Sequence, residues 1–518
     1  MAAAIRLASA GTEVRLLERS DRLGGKLREV DVGGYKLPAG PSVFTMRAVF
    51  EELFGGAEKL AEYLELEPID PLCRHFFPDG SQLDLHTDAE RTRREIKAFA
   101  GERDARGYME FRAHAHKIHE IVRGPFMERP LAVFDLLRPS TLLQITQIDG
   151  MRTLWKAIES FFVDPRLRQL FARYATYNGS TPFHAPATLA VIAHVENAYG
   201  IFSCKGGIYR LAEALEKRAR SLGVTIEIGV QIDEIVVERG RAVGVRRGGA
   251  VERADLIIAA VDAAHVYDRL LGSERAMRKL GEKYASEELS SSAYVLLAVA
   301  DRAPLDLLHH NVFFSRDYKR EFEELVNDRR PPVDPTVYLC ADDRVGEAKD
   351  RVSDARWGEA REALPSEGAA LQAPAGRGVP AGAGGRERPP LVERAFLLTN
   401  APPLDDKGRR VDWKTEAPRC RDRIASTLAR HGWSLNVRAS VEQTPVDFAE
   451  RFPSSKGALY GLASNSKMAA FKRPPNQVSG IAGLYLVGGT VHPGAGLPMV
   501  CLSARIACNM ALEELHGR

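Results

Sequence analysis

The first nineteen residues constrain the fold more than any other stretch of this chain. Ala2 to Ala10 is rich in alanine and predicts a helix, and Gly11 follows where a C-capping glycine belongs. Glu13 to Leu17 predicts a short buried strand that ends at the acidic Glu18. In a dinucleotide-binding βαβ unit, an acidic residue ends the second strand and binds the adenosine ribose. The order of helix, strand and acid therefore predicts an α/β fold of this kind.

In such a unit a first strand and a glycine-rich turn precede the helix, with the turn about 20 residues before the acid. Because the acid stands at position 18, we expect that strand and turn to lie outside these 518 residues. A match to G-x-G-x-x-A does occur at Gly376, Gly378 and Ala381. It falls in a run of Ala, Gly, Pro and Arg at 355–390 with no strand before it, so we interpret the run as a surface insertion.

The overall composition excludes several classes of protein. The net charge of +3, from 72 basic and 69 acidic residues, gives no reason to expect a nucleic-acid partner. The six cysteines are scattered without a CxxC pair, so the sequence predicts neither a metal site nor a disulfide framework. No apolar run is long enough to predict a membrane-spanning helix, and no signal peptide is recognisable.

The middle of the chain mixes helices with strands. Asp79-Gly80 predicts a hairpin turn between two apolar segments. From about residue 91 to 198 the pattern is mostly helical, with amphipathic stretches at 99–122 and 154–174.

Three further glycine-containing segments are candidates for a cofactor site. Leu484 to Val487 predicts a strand, and a helix is predicted from Met499 to Leu515. Between them lies a glycine-rich turn whose backbone N–H groups can face a phosphate. His492 in this turn either transfers a proton or shapes the loop. The other two segments, Gly24-Gly25-Lys26 and Gly40-Pro41-Ser42, could equally be ordinary turns. The residues alone thus predict a two-part dinucleotide enzyme of the oxidoreductase class.

Several motifs resemble one known family, the phytoene-desaturase-type carotenoid desaturases. The N-terminal motifs are residues 17–19, 22–26 and 39–42, and the C-terminal motif is the long segment 483–498. Finer features resemble the hydroxycarotenoid 3,4-desaturases, also called methoxyneurosporene dehydrogenases; they are residues 42–47, 164–171, 173–177, 309–314 and 457–461. Pro38 departs from the pattern, because the family usually has aspartate there.

The resemblance implies an FAD-binding Rossmann-like domain of the glutathione-reductase type, lacking its first strand and glycine turn, with an interleaved α+β substrate domain. It implies FAD as the cofactor and His492 as the candidate catalytic residue. The implied cofactor-binding residues are Glu18, Arg19, Gly24, Gly25, Lys26, Gly40, Pro41, Ser42, Val230, Gly488, Gly489, Thr490, Gly494, Pro498 and Met499. Glu196 and Lys205 are weaker candidates near the substrate region.

The implied reaction is 3,4-desaturation of a hydroxylated or methoxylated acyclic carotenoid by hydride transfer to the flavin. An apolar substrate implies a cytoplasmic protein that is peripheral on the inner membrane, with its helices between residues 91 and 198 as the contact and other carotenoid-pathway enzymes as partners. We expect the FAD-binding domain to comprise 1–75, 201–285 and 451–518, and the substrate domain 76–200 and 286–450. The alternatives are a phytoene desaturase, a carotenoid isomerase or an oxygenase of the same family, or a non-catalytic lipid carrier of the same fold.

Overall fold

The computed structural model describes residues 1–130, 147–271, 275–344, 392–404, 411–466 and 469–517. The predicted insertion at 355–390, with its glycine match, lies outside these residues. Among the described residues, no helix is both long and apolar enough to cross a bilayer.

The strands are β1 Arg15–Glu18, β2 Glu29–Val32, β3 Tyr35–Pro38, β4 Leu66–Ile69, β5 Cys73–Phe76, β6 Gln82–Leu85, β7 Ile201–Cys204, β8 Thr225–Ile228, β9 Glu234–Glu238, β10 Arg241–Arg247, β11 Ala250–Arg253, β12 Ile257–Ala259, β13 Ser292–Asp301, β14 His310–Phe313, β15 Val337–Ala341, β16 Val392–Ala401, β17 Val437–Gln443 and β18 Leu484–Leu486. The α-helices are α1 Ala2–Ser9, α2 Arg47–Phe54, α3 Ala57–Ala61, α4 Ala89–Ala100, α5 Glu102–Val122, α6 Leu154–Phe161, α7 Pro165–Ala172, α8 Val191–Tyr199, α9 Arg210–Ser221, α10 Ala263–His265, α11 Arg275–Ser286, α12 Tyr318–Val326, α13 Trp413–Ala429, α14 Pro445–Arg451, α15 Ala469–Lys472 and α16 Leu497–His516.

The N-terminal helix and strand form where the sequence predicts them, but the expected burial of the strand is wrong, since Arg15 is exposed and Leu16 to Glu18 are only half-buried. Helix α1 ends in a turn where Gly11 has φ +83° and the Thr12 N–H donates to the Leu7 carbonyl. Ile5 and Leu7 are buried, because α1 packs between helices α9 and α16. Strand β1 then runs parallel to β8, and β12 runs parallel to β18. Strand β1 ends at the acidic Glu18, as the sequence predicts.

A seven-stranded sheet is the largest element of the fold, in the order β17-β13-β16-β15-β14-β5-β6. Its pairs are antiparallel except for β14 with β5. Strand β13 is buried on both faces: its even-numbered residues from Tyr294 to Ala298 pack in a core with helix α13, and its odd-numbered residues from Ala293 to Val299 pack with the β2–β3 hairpin. The predicted hairpin turn at Asp79-Gly80 is confirmed, since it joins β5 to β6.

Helices α4 to α8 pack around a second core of aromatic residues. Phe162 and Phe171 stack there with ring centroids 4.5 Å apart. The amphipathic stretch predicted at 154–174 is largely helical, but it is not continuous, because it divides into α6 and α7. The break is local in origin: Pro165 starts α7, and the Asp164 side chain caps it by accepting from the Arg166 N–H at 2.8 Å.

Candidate functional site

A cavity of about 1280 Å³ lies between the parallel strand pairs, the seven-stranded sheet and the helical layer. The residues expected to bind cofactor are far apart in the sequence, yet all fifteen contribute to its wall. They are Glu18, Arg19, Gly24, Gly25, Lys26, Gly40, Pro41, Ser42, Val230, Gly488, Gly489, Thr490, Gly494, Pro498 and Met499. The fold therefore brings them to one place, while their individual roles stay predictions.

One end of the cavity is formed where β1 and β8 stop side by side. The Val230 N–H donates to the Glu18 carbonyl at 2.8 Å, so the two residues expected at the adenosine are neighbours. The Glu18 carboxylate accepts from the Ser20 N–H at 2.7 Å, which fixes its position just after the strand. Arg19 donates to the carbonyl of Arg451 at 2.6 Å, which ties this end to the last residue of helix α14.

Two glycine loops pack directly against each other along the wall. A Cβ on Gly40 would lie 1.9 Å from the carbonyl oxygen of Lys26, so only glycine fits. The Tyr209 hydroxyl fixes the start of the first loop by donating to the Leu23 carbonyl at 2.9 Å. On the cavity side, a Cβ on Gly25 would meet nothing within 4 Å. The first loop thus leaves room for a bound group beside its backbone.

Lys26 places a cation on this wall. Its Nζ lies 5.4 Å from the centre of the Phe452 ring and donates to the Leu459 carbonyl. Burial lowers the pKa of Lys26, an effect that the charge of Asp262 opposes. Burial in turn raises the pKa of Asp262, which caps helix α10 through the Ala264 N–H. The two groups form an electrostatic pair across the cavity wall.

The C-terminal loop is held by two side chains that the sequence analysis did not identify. Asn476 donates from Nδ2 to the carbonyl of His492 at 3.0 Å and to that of Leu486 at 3.2 Å. Arg473 donates to the Gly489 carbonyl at 3.2 Å, and burial lowers its pKa to about 10. Both lie outside the glycine motif, so no local pattern could have marked them. They fix the loop just before α16, whose N-terminal residues line the cavity.

His492, the expected catalytic residue, is not among the residues that line the cavity. Its ring is fully buried beside Phe126, and its Nε2 donates to the Arg129 carbonyl at 2.9 Å. Burial lowers its pKa to about 4, so the imidazole is neutral at pH 7. This position favours the loop-shaping alternative, and a proton-transfer role stays a prediction.

Beyond the loops, the cavity continues into the helical layer between largely apolar walls. Typical lining residues there are Ile121, Val122, Phe126, Met127, Leu189, Ile192, Val195 and Val312. A buried polar cluster also reaches this part. Glu196 accepts from the hydroxyls of Tyr174 at 2.8 Å and Tyr177 at 2.7 Å, and Arg173 lies 3.5 Å from the same carboxylate. This carboxylate is therefore saturated by its own neighbours.

A second polar chain crosses from the glycine loop to the sheet. The hydroxyls of Ser42 and Tyr338 are 2.7 Å apart, and His310 Nδ1 is also 2.7 Å from the Tyr338 oxygen. Ser42 is thus positioned by β15. Lys205, by contrast, lies at the surface with 67% of its side chain exposed and pairs with Glu65 at 3.0 Å. Its expected place near the substrate region is wrong, since the β4–β7 pair turns it outwards.

Comparison with known proteins places this geometry in a family. Residues 1–352 match the family described as flavin containing amine oxidoreductase. The hydroxyneurosporene desaturase of Rubrivivax gelatinosus is 35% identical, over 100% of this chain and 92% of that protein. The 4,4'-diapolycopene oxygenase of a Methylomonas species is 32% identical, over 100% of this chain and 96% of that protein.

Solved structures of similar fold include an oxidoreductase from Methanosarcina mazei, with a TM-score of 0.57 at 14% identity over 99% of this chain and 97% of that one. Cyclohexylamine oxidase from Brevibacterium oxydans has a TM-score of 0.54 at 13% identity, over 99% of this chain and 96% of that one. These likenesses confirm the predicted fold class. Together with the full-length relatives, they show that the chain belongs to the carotenoid desaturases of the flavin-containing amine oxidoreductase family and is an FAD-dependent oxidoreductase.

Proposed function

We propose that this enzyme desaturates a hydroxylated or methoxylated acyclic carotenoid at its 3,4-bond. The observation that carries the proposal is the continuity of the cavity from the glycine loops into the apolar helical layer. Its volume of about 1280 Å³ exceeds the range of about 300–1,000 Å³ usual for a single small-molecule pocket. A cofactor and a long apolar molecule can therefore share it.

The residues at the glycine-loop end of the cavity fit FAD. Gly25 and Gly488 line the cavity, and a Cβ on either would stand in open space, so a ligand can approach the backbone there. Glu18 and Val230 would hold the adenosine, and Lys26 would lie near the phosphates or the flavin. When bound, FAD supplies the hydride acceptor of the desaturation.

The apolar part of the cavity would position the substrate and exclude water from it. Apolar side chains such as Ile192 and Val195 line the part of the cavity that extends into the helical layer. They would hold a polyene by dispersion and burial, and they would keep water from the reacting bond. The saturated Glu196 cluster would supply a rigid wall there.

The test is conversion of defined carotenoids by the FAD-loaded enzyme in liposomes. We expect a 1-hydroxy or 1-methoxy acyclic carotenoid to gain one conjugated double bond, seen as a red-shifted absorption spectrum and a mass loss of two hydrogens. Uptake of ¹⁸O from ¹⁸O₂ would instead identify an oxygenase, and an unchanged mass with altered retention an isomerase. Flavin that stays oxidised with every carotenoid under anaerobic conditions would identify a carrier and overturn the proposal.

We also propose that the protein works at the cytoplasmic face of the inner membrane, near other carotenoid-pathway enzymes. The support is Met151, which lines the cavity and is 68% exposed, so the cavity has an apolar rim. Val163 is similarly apolar and 59% exposed but does not line the cavity. Met151→Glu should weaken co-sedimentation with anionic phospholipid vesicles, whereas Val163→Glu serves as the matched control. An equal loss of co-sedimentation in both variants would contradict the proposal that this rim contacts the membrane.

The proposed division into two units is supported by the sheets. The seven-stranded sheet takes its strands from residues 73–85, 292–341 and 392–443, within the segments assigned to the substrate unit apart from its first residues. The parallel pairs take theirs from the segments assigned to the cofactor unit. Because β5 begins at Cys73, we place the first boundary before that residue rather than after 75.

A further inference from the structure

Helix α12 brings two polar side chains to the cavity wall without partners for them. Glu321 and Tyr318 both line the cavity and are only 1% and 7% exposed. One carboxylate oxygen of Glu321, Oε2, accepts from the Thr336 hydroxyl at 2.7 Å. The other oxygen, Oε1, and the Tyr318 hydroxyl have no hydrogen-bond partner among the described residues.

Among the described residues that line the cavity, one further buried side-chain atom, the Ser292 hydroxyl oxygen, has no partner, and helix α12 alone supplies two such atoms. Glu196 is saturated by two tyrosine hydroxyls, and the Tyr338 hydroxyl lies between Ser42 and His310. Within the part of the chain that the structure describes, Glu321 also forms no ion pair. A buried polar group without a partner lowers the stability of the protein, so a hydrogen bond from a polar ligand atom to Oε1 of Glu321 or to the Tyr318 hydroxyl would be favourable.

The protonation of Glu321 suits a neutral ligand. Burial raises its pKa to about 7, against the hydrogen bond from Thr336, which lowers it. At neutral pH the carboxyl group is therefore present in both forms. A cation would demand the ionised form, whereas an uncharged hydroxyl can pair with either.

We propose that Glu321 and Tyr318 form a subsite that recognises the oxygen atom at the end of the carotenoid substrate. This inference rests on the proposed function. A tertiary hydroxyl both donates and accepts, so it can pair with Oε1 of Glu321 and with the Tyr318 hydroxyl together. A methoxy oxygen only accepts, and a hydrocarbon end satisfies neither atom. The subsite therefore favours hydroxylated over methoxylated substrates, and both over hydrocarbons.

The test compares competing substrates in one reaction with the FAD-loaded enzyme. A 1-hydroxy acyclic carotenoid, its 1-methoxy derivative and the hydrocarbon of equal chain length are supplied together in liposomes, and the ratio of their kcat/KM values is measured. We expect the wild type to prefer the hydroxylated molecule over the hydrocarbon by about 10- to 100-fold, the equivalent of leaving one buried polar group unpaired. Tyr318→Phe and Glu321→Leu should each lower this ratio by about 3- to 10-fold, because each variant removes one of the two partners of the hydroxyl.

Tyr108→Phe is the matched control. The Tyr108 hydroxyl is also buried and unpartnered among the described residues, but Tyr108 does not line the cavity, so its removal should leave the ratio unchanged. Tyr318→Phe removes a single oxygen atom, and flavin absorbance confirms that each variant is folded. A preference in Tyr318→Phe that is as large as that of the wild type would overturn the subsite. A wild type that converts none of the three carotenoids would overturn the proposed function itself.

Discussion

Replacing Gly40 by alanine tests the packing of the two glycine loops. Gly40 follows the β2–β3 hairpin, where the Ala39 N–H donates to the Arg28 carbonyl at 2.8 Å. That hydrogen bond holds the backbone of Gly40 against the preceding loop. A Cβ would lie 1.9 Å from the oxygen and 3.0 Å from the carbon of the Lys26 carbonyl. Since non-bonded heavy atoms rest at about 3.5 Å, the loops must separate by roughly 1.5 Å.

The magnitude follows from the cost of overpacking, which is about 1–3 kcal/mol. If the separation of the loops relieves this strain, FAD must draw them together again and loses the same free energy of binding. A loss of about 1–3 kcal/mol corresponds to roughly 5- to 150-fold in the Kd for FAD. Strain that is not relieved appears instead as a lower Tm.

The assay is FAD titration of the apoprotein by flavin fluorescence, with Tm measured on the same samples. Gly124→Ala is the control, because a Cβ on Gly124 meets nothing within 4 Å and Gly124 does not line the cavity. A Gly40→Ala protein with the wild-type Kd for FAD and an unchanged Tm would refute the reasoning.

Three further predictions concern the C-terminal loop and Glu321. Gly489→Val should abolish flavin absorbance while far-UV circular dichroism is retained, because its Cβ would already lie 3.3 Å from the Cα of Ala495; full flavin content would remove the loop from the cofactor site. His492→Ala should keep FAD and slow turnover only modestly, since His492 does not line the cavity and its ring is held by the Arg129 carbonyl; a fall of about 10²-fold with flavin retained would indicate proton transfer. The pKa of Glu321 is raised from 4.5 to about 7, so its stabilisation is complete below pH 4.5 and is lost as pH rises through 7. Denaturant unfolding should therefore show the wild type losing about 3 kcal/mol relative to Glu321→Gln between pH 4.5 and 8, and parallel pH profiles would contradict this.

Much of the cofactor wall could be predicted from sequence because its elements are local. The alanine-rich helix, its glycine cap and the strand that ends at Glu18 each depend on neighbouring residues, and all three form at the predicted places, although the strand is only half-buried. The strand and helix on either side of Gly488 likewise follow from hydrophobic periodicity. Sequence reasoning failed where one stretch was divided by a cap, as at Asp164.

The sequence by itself thus determined the fold class, the cofactor and the segments that form its wall. Tertiary structure decided the hydrogen-bond partner of His492, the anchoring of the C-terminal loop by Arg473, and the exposure of Lys205. It alone shows that Glu196 is saturated while Oε1 of Glu321 is not. The physical reason is that turns and caps are set by a few adjacent residues, whereas the hydrogen bonding of a buried side chain depends on partners that only the folded chain brings within reach.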